Sequence, residues 1–311
     1  MTRCLYCNKP ISRDEHDFQW HPACVKKFFG TTSLPTLALD ESRLLHSAAT
    51  SIEQGHAVPG VQKKLALHLL KTRGKGQLTV IGRPLGYIVK LPVKEYPLLP
   101  EYEHLTMQLA SLAKIPTVEH ALYRLEDGTL AYLTKRIDRV GETKIAMEDF
   151  CQLGGRLTED KYRSSCEQLG KILRRHSRRL LDAVALWHLL LFCFVTGNSD
   201  MHLKNFSLYA PDGDEYILTP AYDLLPTNLI LPEDSEESAL TLRGKRNRLK
   251  KEDFVYLAQQ YGIHPKTVEG LIARIVGLQE SFFEAIEQSF LPEEAQKAYK
   301  ALIAERIGRL S

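Results

Sequence analysis

The stretch "TGNSDMHLKNFSL", residues 196–208, sets a carboxylate, an imidazole, an ammonium and two amides directly behind an apolar run, "LLDAVALWHLLLFCFVTG" (180–197). Two readings compete. Asn, Ser and Asp commonly terminate helices as capped, solvated turns. Alternatively, a buried helix holds a polar loop where chemistry is done. The apolar run contains Asp182 and His188 and falls short of a membrane span, so it reads as a buried core helix, with Trp187 and His188 in the core.

Within the polar stretch, Asp200 and Asn205 are spaced D-x-x-x-x-N. In phosphoryl transfer an Asp orients an attacking hydroxyl and accepts its proton, while an Asn amide oxygen ligates magnesium on the phosphates. A second metal carboxylate is needed, and Asp223 in "LTPAYDLLPT" follows Asn205 by 18 residues. The intervening "FSLYAPDGDEYILTPAYD" alternates and turns like a hairpin, which would return Asp223 beside Asn205. Magnesium prefers such hard oxygen ligands.

Upstream, "GYIVKLP" places Lys90 in an otherwise apolar strand, on the face of Ile88. A lone strand Lys commonly sits at a sheet edge or snorkels. Here the following helix carries Glu103, a possible partner, and Glu101 is a second one. A strand Lys held by a helix Glu and gripping the α- and β-phosphates is the protein-kinase arrangement. Earlier still, "TSIEQGHAVPGVQKKLALHLL" is a polar, Gly-containing loop running into a strand, whose N–H groups could cover a triphosphate. It also fits an ordinary surface loop.

The wider chain fits two lobes. Its 311 residues, 44% hydrophobic and 25% charged, suffice for one large or two modest cores. Residues 60–137 read as strands around a helix at 101–113, with a hairpin turned at Asp127-Gly128. From about 147, helices are expected over 158–174, 178–195, 252–262, 266–288 and 293–308. The fold class is therefore α+β, a β-rich N-lobe followed by an all-helical C-lobe, with a cleft between them as the place for a ligand. The boundaries are 1–30, 31–140 and 141–311. Net charge is +3, which gives no ground for a direct nucleic-acid or membrane partner. The N-terminal "MTRCLYCNKP" has no secretory pattern and six cysteines do not suggest a disulfide framework, so the cytoplasm is expected. The segment 231–253, "LPEDSEESALTLRGKRNRLKKED", reads as a solvated loop or as a mobile segment that docks a protein substrate.

The first segment has its own chemistry. Cys4, Cys7, His21 and Cys24 form C-x₂-C-x₁₃-H-x₂-C, a spacing suited to a tetrahedral structural zinc site in a module with few apolar residues. Reduced side chains in a folded lead-in are the alternative.

Taken in order, "SIEQG…GVQKKL", "YIVK", "KRIDR", "MEDFCQ", "GNSDMHLKNFSL" and "PAYDLLP" resemble the HipA-like serine/threonine kinases, toxins of bacterial toxin–antitoxin systems. The usual HipA carries a further N-terminal subdomain of about a hundred residues, so the chain is most similar to the short HipT-type kinases, in which a separate small protein supplies that subdomain. The resemblance implies a two-lobed protein-kinase-like fold using ATP and Mg2+. It implies Asp200 as catalytic base, Asn205 and Asp223 as metal ligands, and Lys90 on the phosphates with Glu103 as its partner. Lys135, Arg136 and Ile137 would form the hinge that reads adenine through backbone groups, with Asp138 near the ribose. The loop from Pro59 to Lys64, including Gly60, Val61 and Gln62, would line the phosphates, and His202 and Tyr222 would lie at the nucleotide. Ser51 would be autophosphorylated, with Glu53 in place of a second phosphoserine. By the same resemblance, the substrate is a translation component of the aminoacyl-tRNA synthetase class, and the partners are a HipS-like small antitoxin and a HipB-like DNA-binding protein. A small-molecule kinase of the aminoglycoside-phosphotransferase type shares D-x-H-x-x-N, and a catalytically silent binding protein stands as a third reading. The "GVQKK" loop, "MEDFCQ" and the Lys204 to Ser207 continuation favour the first.

Overall fold

The computed structural model describes residues 2–12, 19–37, 64–80, 84–96, 98–141, 143–213 and 215–311. The chain divides into two compact units. The first comprises residues through His104 together with Val118–Lys144; the second comprises Leu105–Thr117 and Ile145–Ser311. The division therefore falls inside the helix Leu99–Leu112.

The first unit is built on a six-stranded sheet of β1 (Thr36–Leu37), β2 (Lys64–Thr72), β3 (Lys75–Thr79), β4 (Tyr87–Lys90), β5 (His120–Arg124) and β6 (Leu130–Lys135), in the order β1-β3-β2-β4-β6-β5. All neighbours run antiparallel except β1 and β3. The β5–β6 turn follows from its residues. The Asp127 carboxylate accepts from the Thr129 N–H at 2.9 Å and from its hydroxyl at 2.6 Å, while Gly128 takes φ +85°. Leu67, Val89, Leu122 and Leu133 have no exposure and form the sheet's apolar core. The N-terminal Cys/His segment belongs to this unit rather than standing apart. Its helix, Pro22–Phe29, begins at a proline, which can take N1 because no intrahelical bond is lost there, and it stops at Gly30 in the left-handed region (φ 67°).

In the second unit the apolar run forms the helix Leu180–Val195, buried throughout from Leu186 to Val195. It packs against the helices Cys166–His176, Lys251–Gln260 and Glu293–Gly308. Its two polar interruptions are accommodated differently. Asp182 accepts from the Ser177 hydroxyl (2.7 Å) and the Leu218 N–H (2.9 Å). His188 is held neutral, because burial lowers its pKa to about 4.

Several expectations need correction. The second unit is not helical throughout: β9 (Met147–Asp149), β10 (Ser207–Tyr209) and β11 (Ile217–Leu218) form a three-stranded sheet ordered β11-β10-β9. The short strands β7 (Arg139–Val140) and β8 (Thr143–Lys144) pair separately in the first unit. The helix expected at 158–174 is a 3-10 turn, Thr158–Asp160, followed by the helix Cys166–His176, because the Ser165 hydroxyl caps the Gln168 N–H and forces a new start. The 266–288 helix breaks at Leu278 into Pro265–Gly277 and Gln279–Glu287. Residues 231–253 are not a solvated loop. Leu240, Leu242 and Leu249 are buried, and Glu237, 7% exposed, meets Arg306 at 3.1 Å and Arg309 at 2.7 Å.

Candidate functional site

In the second unit, Gly197 turns the chain as the buried helix ends. It takes φ +69°, and a Cβ there would lie 2.4 Å from Leu302. Ser199 is then fixed through its N–H to the Thr227 hydroxyl (2.6 Å), and Asn228 donates to the Ser199 hydroxyl at 3.3 Å. This brings Asp200 into a bonded frame. Its Oδ1 accepts from the Tyr162 hydroxyl at 2.6 Å, and its carbonyl accepts from the His202 N–H at 2.8 Å and from Asn205 Nδ2 at 2.9 Å. Asn205 ends the 3-10 turn Leu203–Asn205. Since its amide nitrogen is bound to the Asp200 carbonyl, its oxygen is the atom left to accept or ligate.

Sequence reasoning missed Tyr162. Burial, and then the Asp200 carboxylate, push its pKa up, so at neutral pH it stays a hydroxyl that donates. Its ring meets His202 edge-on with centroids 5.0 Å apart. Burial lowers the His202 pKa, Asp200 opposing it, and its Nδ1 has no bonding partner among the described residues. No fixed spacing links Tyr162 to Asp200, which is why the sequence gives no signal for the pair.

The expected hairpin forms as β10 paired antiparallel with β11, and Asp223 lies beyond the end of β11. The bridge of Thr117 to Ala221 and the Ala221 N–H bond to Pro116 (2.8 Å) fix its approach. It takes φ 59°, a left-handed backbone that costs a non-glycine residue energy and is concentrated at functional sites. Next to it, the Tyr222 hydroxyl bonds Ser207 Oγ (2.6 Å) and the Lys204 carbonyl (3.1 Å). Tyr222 thus ties the segment that carries Asp223 to the Lys204–Ser207 end of the Asp200 stretch.

The two motifs "MEDFCQ" and "LKNFS" turn out to be one structure. β9 pairs antiparallel with β10, the Phe150 N–H donates to the Phe206 carbonyl (2.9 Å), and the two phenyl rings lie 5.9 Å apart. Asp149 caps the helix Phe150–Leu153 through a capping box with Gln152, and its other oxygen accepts from Lys204 Nζ at 2.7 Å.

In the first unit, β4 lies inside the sheet, between β2 and β6, so Lys90 is not an edge residue. Its Nζ donates to Glu103 Oε1 at 2.5 Å and lies 5.3 Å from the Tyr132 ring centroid. Side-chain exposures of 6% and 1% make this a buried ion pair. Glu103, not Glu101, is therefore the partner. Lys64 opens β2 directly opposite Lys90 in register and is exposed. In the expected hinge, the Lys135 N–H is taken by the Glu119 carbonyl and the Arg136 N–H by that of Gly86, each at 2.9 Å. Among the described residues, Ile137 makes no such backbone bond. Both Asp138 oxygens are engaged, by Arg136 (2.8 and 2.7 Å) and Arg139 (2.5 Å). The Arg136 and Arg139 guanidiniums hold the Asp138 carboxyl below its ordinary pKa against the effect of burial. Cys4, Cys7, His21 and Cys24 each offer one ligand atom, all within 4.8 Å of one another. Ser51, Glu53, Gly60, Val61, Gln62 and the rest of the loop from Pro59 to Lys63 lie outside the described residues.

Against known proteins, residues 56–282 match the family model described as the HipA-like C-terminal domain. The chain belongs to this HipA-like family. It is 30% identical over 274 residues to "Putative kinase Y4dM" of Sinorhizobium fredii, covering 83% of this chain and 66% of that protein. It is 26% identical over 272 residues to a "Putative kinase" of Haemophilus influenzae, with 78% of each covered. The fold is similar to HipA of Shewanella oneidensis, solved with HipB and operator DNA (TM-score 0.68, 22% identity, 81% of this chain and 64% of HipA). It is also similar to the Helicobacter pylori proinflammatory kinase CtkA (TM-score 0.50, 15% identity, 71% of this chain and 84% of CtkA). The chain thus spans about two thirds of the length of Y4dM and of HipA. Among the described residues, no helix is long and apolar enough to cross a membrane.

Proposed function

We propose that this HipA-like protein is an ATP-dependent serine/threonine protein kinase, acting as the toxin of a HipBST-like system and autophosphorylating at Ser51. The observation that carries this reading is the bonded frame around Asp200, with Asn205 and Asp223 supplied by the same unit. Asp200 is the proton acceptor for the attacking hydroxyl. Tyr162 holds one carboxylate oxygen at 2.6 Å, which fixes the orientation of the other. Asn205 Oδ1 and the Asp223 carboxylate are hard oxygen donors, and the Nδ2 bond to the Asp200 carbonyl fixes which end of the Asn205 amide is offered. They fit Mg2+, which when bound neutralises charge on the phosphate oxygens. Lys90, charged and held by Glu103, supplies a fixed cation for the α- and β-phosphates. The Ile137 N–H is the donor for adenine. Asp138, clasped by two guanidiniums, serves the ribose less readily than its position in the sequence suggested.

The substrate proposed is a component of translation of the aminoacyl-tRNA synthetase class, with a HipS-like antitoxin and a HipB-like DNA-binding partner in the cytoplasm. HipA-family membership and the kinase names of the relatives support kinase chemistry, while the substrate and partners rest on resemblance alone.

The test is transfer of labelled γ-phosphate to the protein itself and to proteins of a lysate, followed by mapping of phosphosites. Wild type is expected to label protein serine or threonine, with Ser51 among the sites, and Asp200→Ala to label nothing. Absence of both ATP binding and transfer in the presence of magnesium or manganese would make the protein a silent binder.

A further inference from the structure

We propose that Cys4, Cys7, His21 and Cys24 bind one zinc ion, and that this ion holds the N-terminal segment onto the strands of the first unit. This is a structural metal site, separate from the phosphoryl-transfer residues and independent of that reading.

The distances decide for a metal rather than loose proximity. With Zn–S near 2.3 Å and Zn–N near 2.0–2.1 Å, tetrahedral geometry sets sulfur and nitrogen ligands about 3.6 Å apart. His21 Nδ1 lies 3.4 Å from Cys7 Sγ and 3.7 Å from Cys24 Sγ, on either side of that value. No other described group of His, Cys, Asp or Glu converges in this way.

The second ring nitrogen supports the same conclusion. His21 Nε2 lies 3.0 Å from the Pro10 carbonyl, which can only accept, so the proton sits on Nε2. The Nδ1 lone pair is then the one aimed at the cysteines. A histidine ligand whose other N–H donates to a backbone carbonyl is the usual supporting shell of a zinc site. The chain also turns as a metal knuckle must. After Cys7, Asn8 takes φ 60°, and the Asn8 N–H returns to the Cys4 carbonyl at 2.9 Å. Three thiolates and one imidazole form a closed structural zinc set, with no position left open for catalysis.

What the ion would hold is equally specific. The ligands come from two pieces of chain, residues 4–7 and 21–24, which also meet through the stacked Tyr6 and Trp20 rings and the Leu5 N–H bond to the Gln19 carbonyl at 2.9 Å. Both pieces grip the sheet. The Leu5 carbonyl accepts from the Leu122 N–H of β5 at 2.8 Å, and Gln19 accepts from Arg124 at 2.5 Å. Trp20, Phe28 and Phe29 pack ring on ring with Tyr6 and with Tyr87 of β4. Lys135 at the end of β6 lies 5.1 Å over Phe28. Joining the two pieces at one ion therefore fixes a layer over the strand that carries Lys90. On binding, the three thiol protons pass to solvent as the sulfurs ligate.

Full-length protein purified without chelator is expected to carry about one equivalent of zinc by elemental analysis. Replacing zinc with cobalt should give a thiolate-to-cobalt charge-transfer band and the intense d–d bands of a tetrahedral site. Cys24→His, which keeps four ligands, should retain tetrahedral d–d bands and lose about a third of the charge-transfer intensity. Cys151→Ser, outside the cluster, should leave both unchanged. Removing zinc with a strong chelator is expected to lower the melting temperature of the first unit by roughly 5 °C or more, and zinc should restore it. Less than about half an equivalent of zinc, an octahedral cobalt spectrum, or a Cys4–Cys7 disulfide in the purified protein would overturn the site. An unchanged melt after complete zinc removal would overturn its role as a staple. None of these measurements uses catalytic activity, so a kinase-dead result leaves them untouched.

Discussion

At the scale of single residues, the informative groups are those whose freedom is removed by a neighbour. Lys90 and Glu103 illustrate this, because each is buried and the 2.5 Å bond between them compensates both charges. Removing one partner of such a pair leaves an unpaired buried charge and typically costs 3–5 kcal/mol. Glu103→Ala is thus expected to destabilise the first unit by about 3 kcal/mol and to abolish ATP binding. The double variant Lys90→Met, Glu103→Met removes both charges and should recover most of the stability while leaving nucleotide binding absent. Denaturant melts paired with nucleotide titration separate these outcomes; a double variant that bound ATP normally would remove Lys90 from the phosphate site. Tyr162 makes the second case. Tyr162→Phe deletes the hydroxyl bonded to Asp200 and nothing else, so kcat is expected to fall by about tenfold with the KM for ATP unchanged. A selective rise in KM would instead place Tyr162 at the nucleotide.

At the scale of elements, what was legible in the sequence depended on whether the signal is local. The strands β2, β4, β5 and β6 follow from short apolar runs bounded by turn residues, and the Asp127-Gly128 hairpin follows from side-chain bonding within the turn itself. The D-x-x-x-x-N spacing likewise encodes a local fact, the span of one 3-10 turn that lets Asn205 reach back to the Asp200 carbonyl. Features made by distant partners gave no such trace. The joining of β9 to β10 rests on residues some 55 apart in sequence, as Lys204 and Asp149 are. Within 231–253, Glu237 is held by Arg306 of the helix Glu293–Gly308 and by Arg309 just beyond it, so the segment's charge pattern alone reads as solvated. Asp149 gives the test at this scale. It caps a helix and holds Lys204 at once, so Asp149→Ala should lose about 1 kcal/mol for the cap plus the ion pair, and phosphoryl transfer should fall further than stability does. Lys204→Met leaves the cap in place and is expected to reproduce the loss of transfer with little change in the melt. Transfer left intact in Lys204→Met would assign Asp149 to the cap alone.

At the scale of the whole molecule, buried titratable groups set how stability varies with pH, and they act in opposite directions. Burial lowers the pKa of His104, of His120 to about 3 and of His188 to about 4, from an ordinary value of 6.5. The neutral His104–His120 pair shares one proton between Nδ1 atoms 3.0 Å apart. Below pH 6.5 the unfolded chain takes up protons that these histidines refuse, so their contribution is intact above that value and is lost as the pH falls toward 3 to 4. Glu101 has the reverse sign. Burial raises its carboxyl from 4.5 to about 7, and one of its oxygens is buried without a bonding partner among the described residues. The folded state therefore holds a proton that the unfolded chain has released, and this stabilisation disappears as the pH rises from about 4.5 through 7. Glu101→Gln keeps the shape and stays neutral at every pH. Its melting temperature should match wild type near pH 4 and exceed it by roughly 3–6 °C at pH 8, the partial exposure of the carboxyl setting the smaller figure. The histidine-driven loss below pH 6.5 should persist unchanged in the variant, since none of those residues is altered. Thermal melts of both proteins across this range decide the matter: parallel curves would mean that Glu101 ionises in the folded protein as freely as in the unfolded chain.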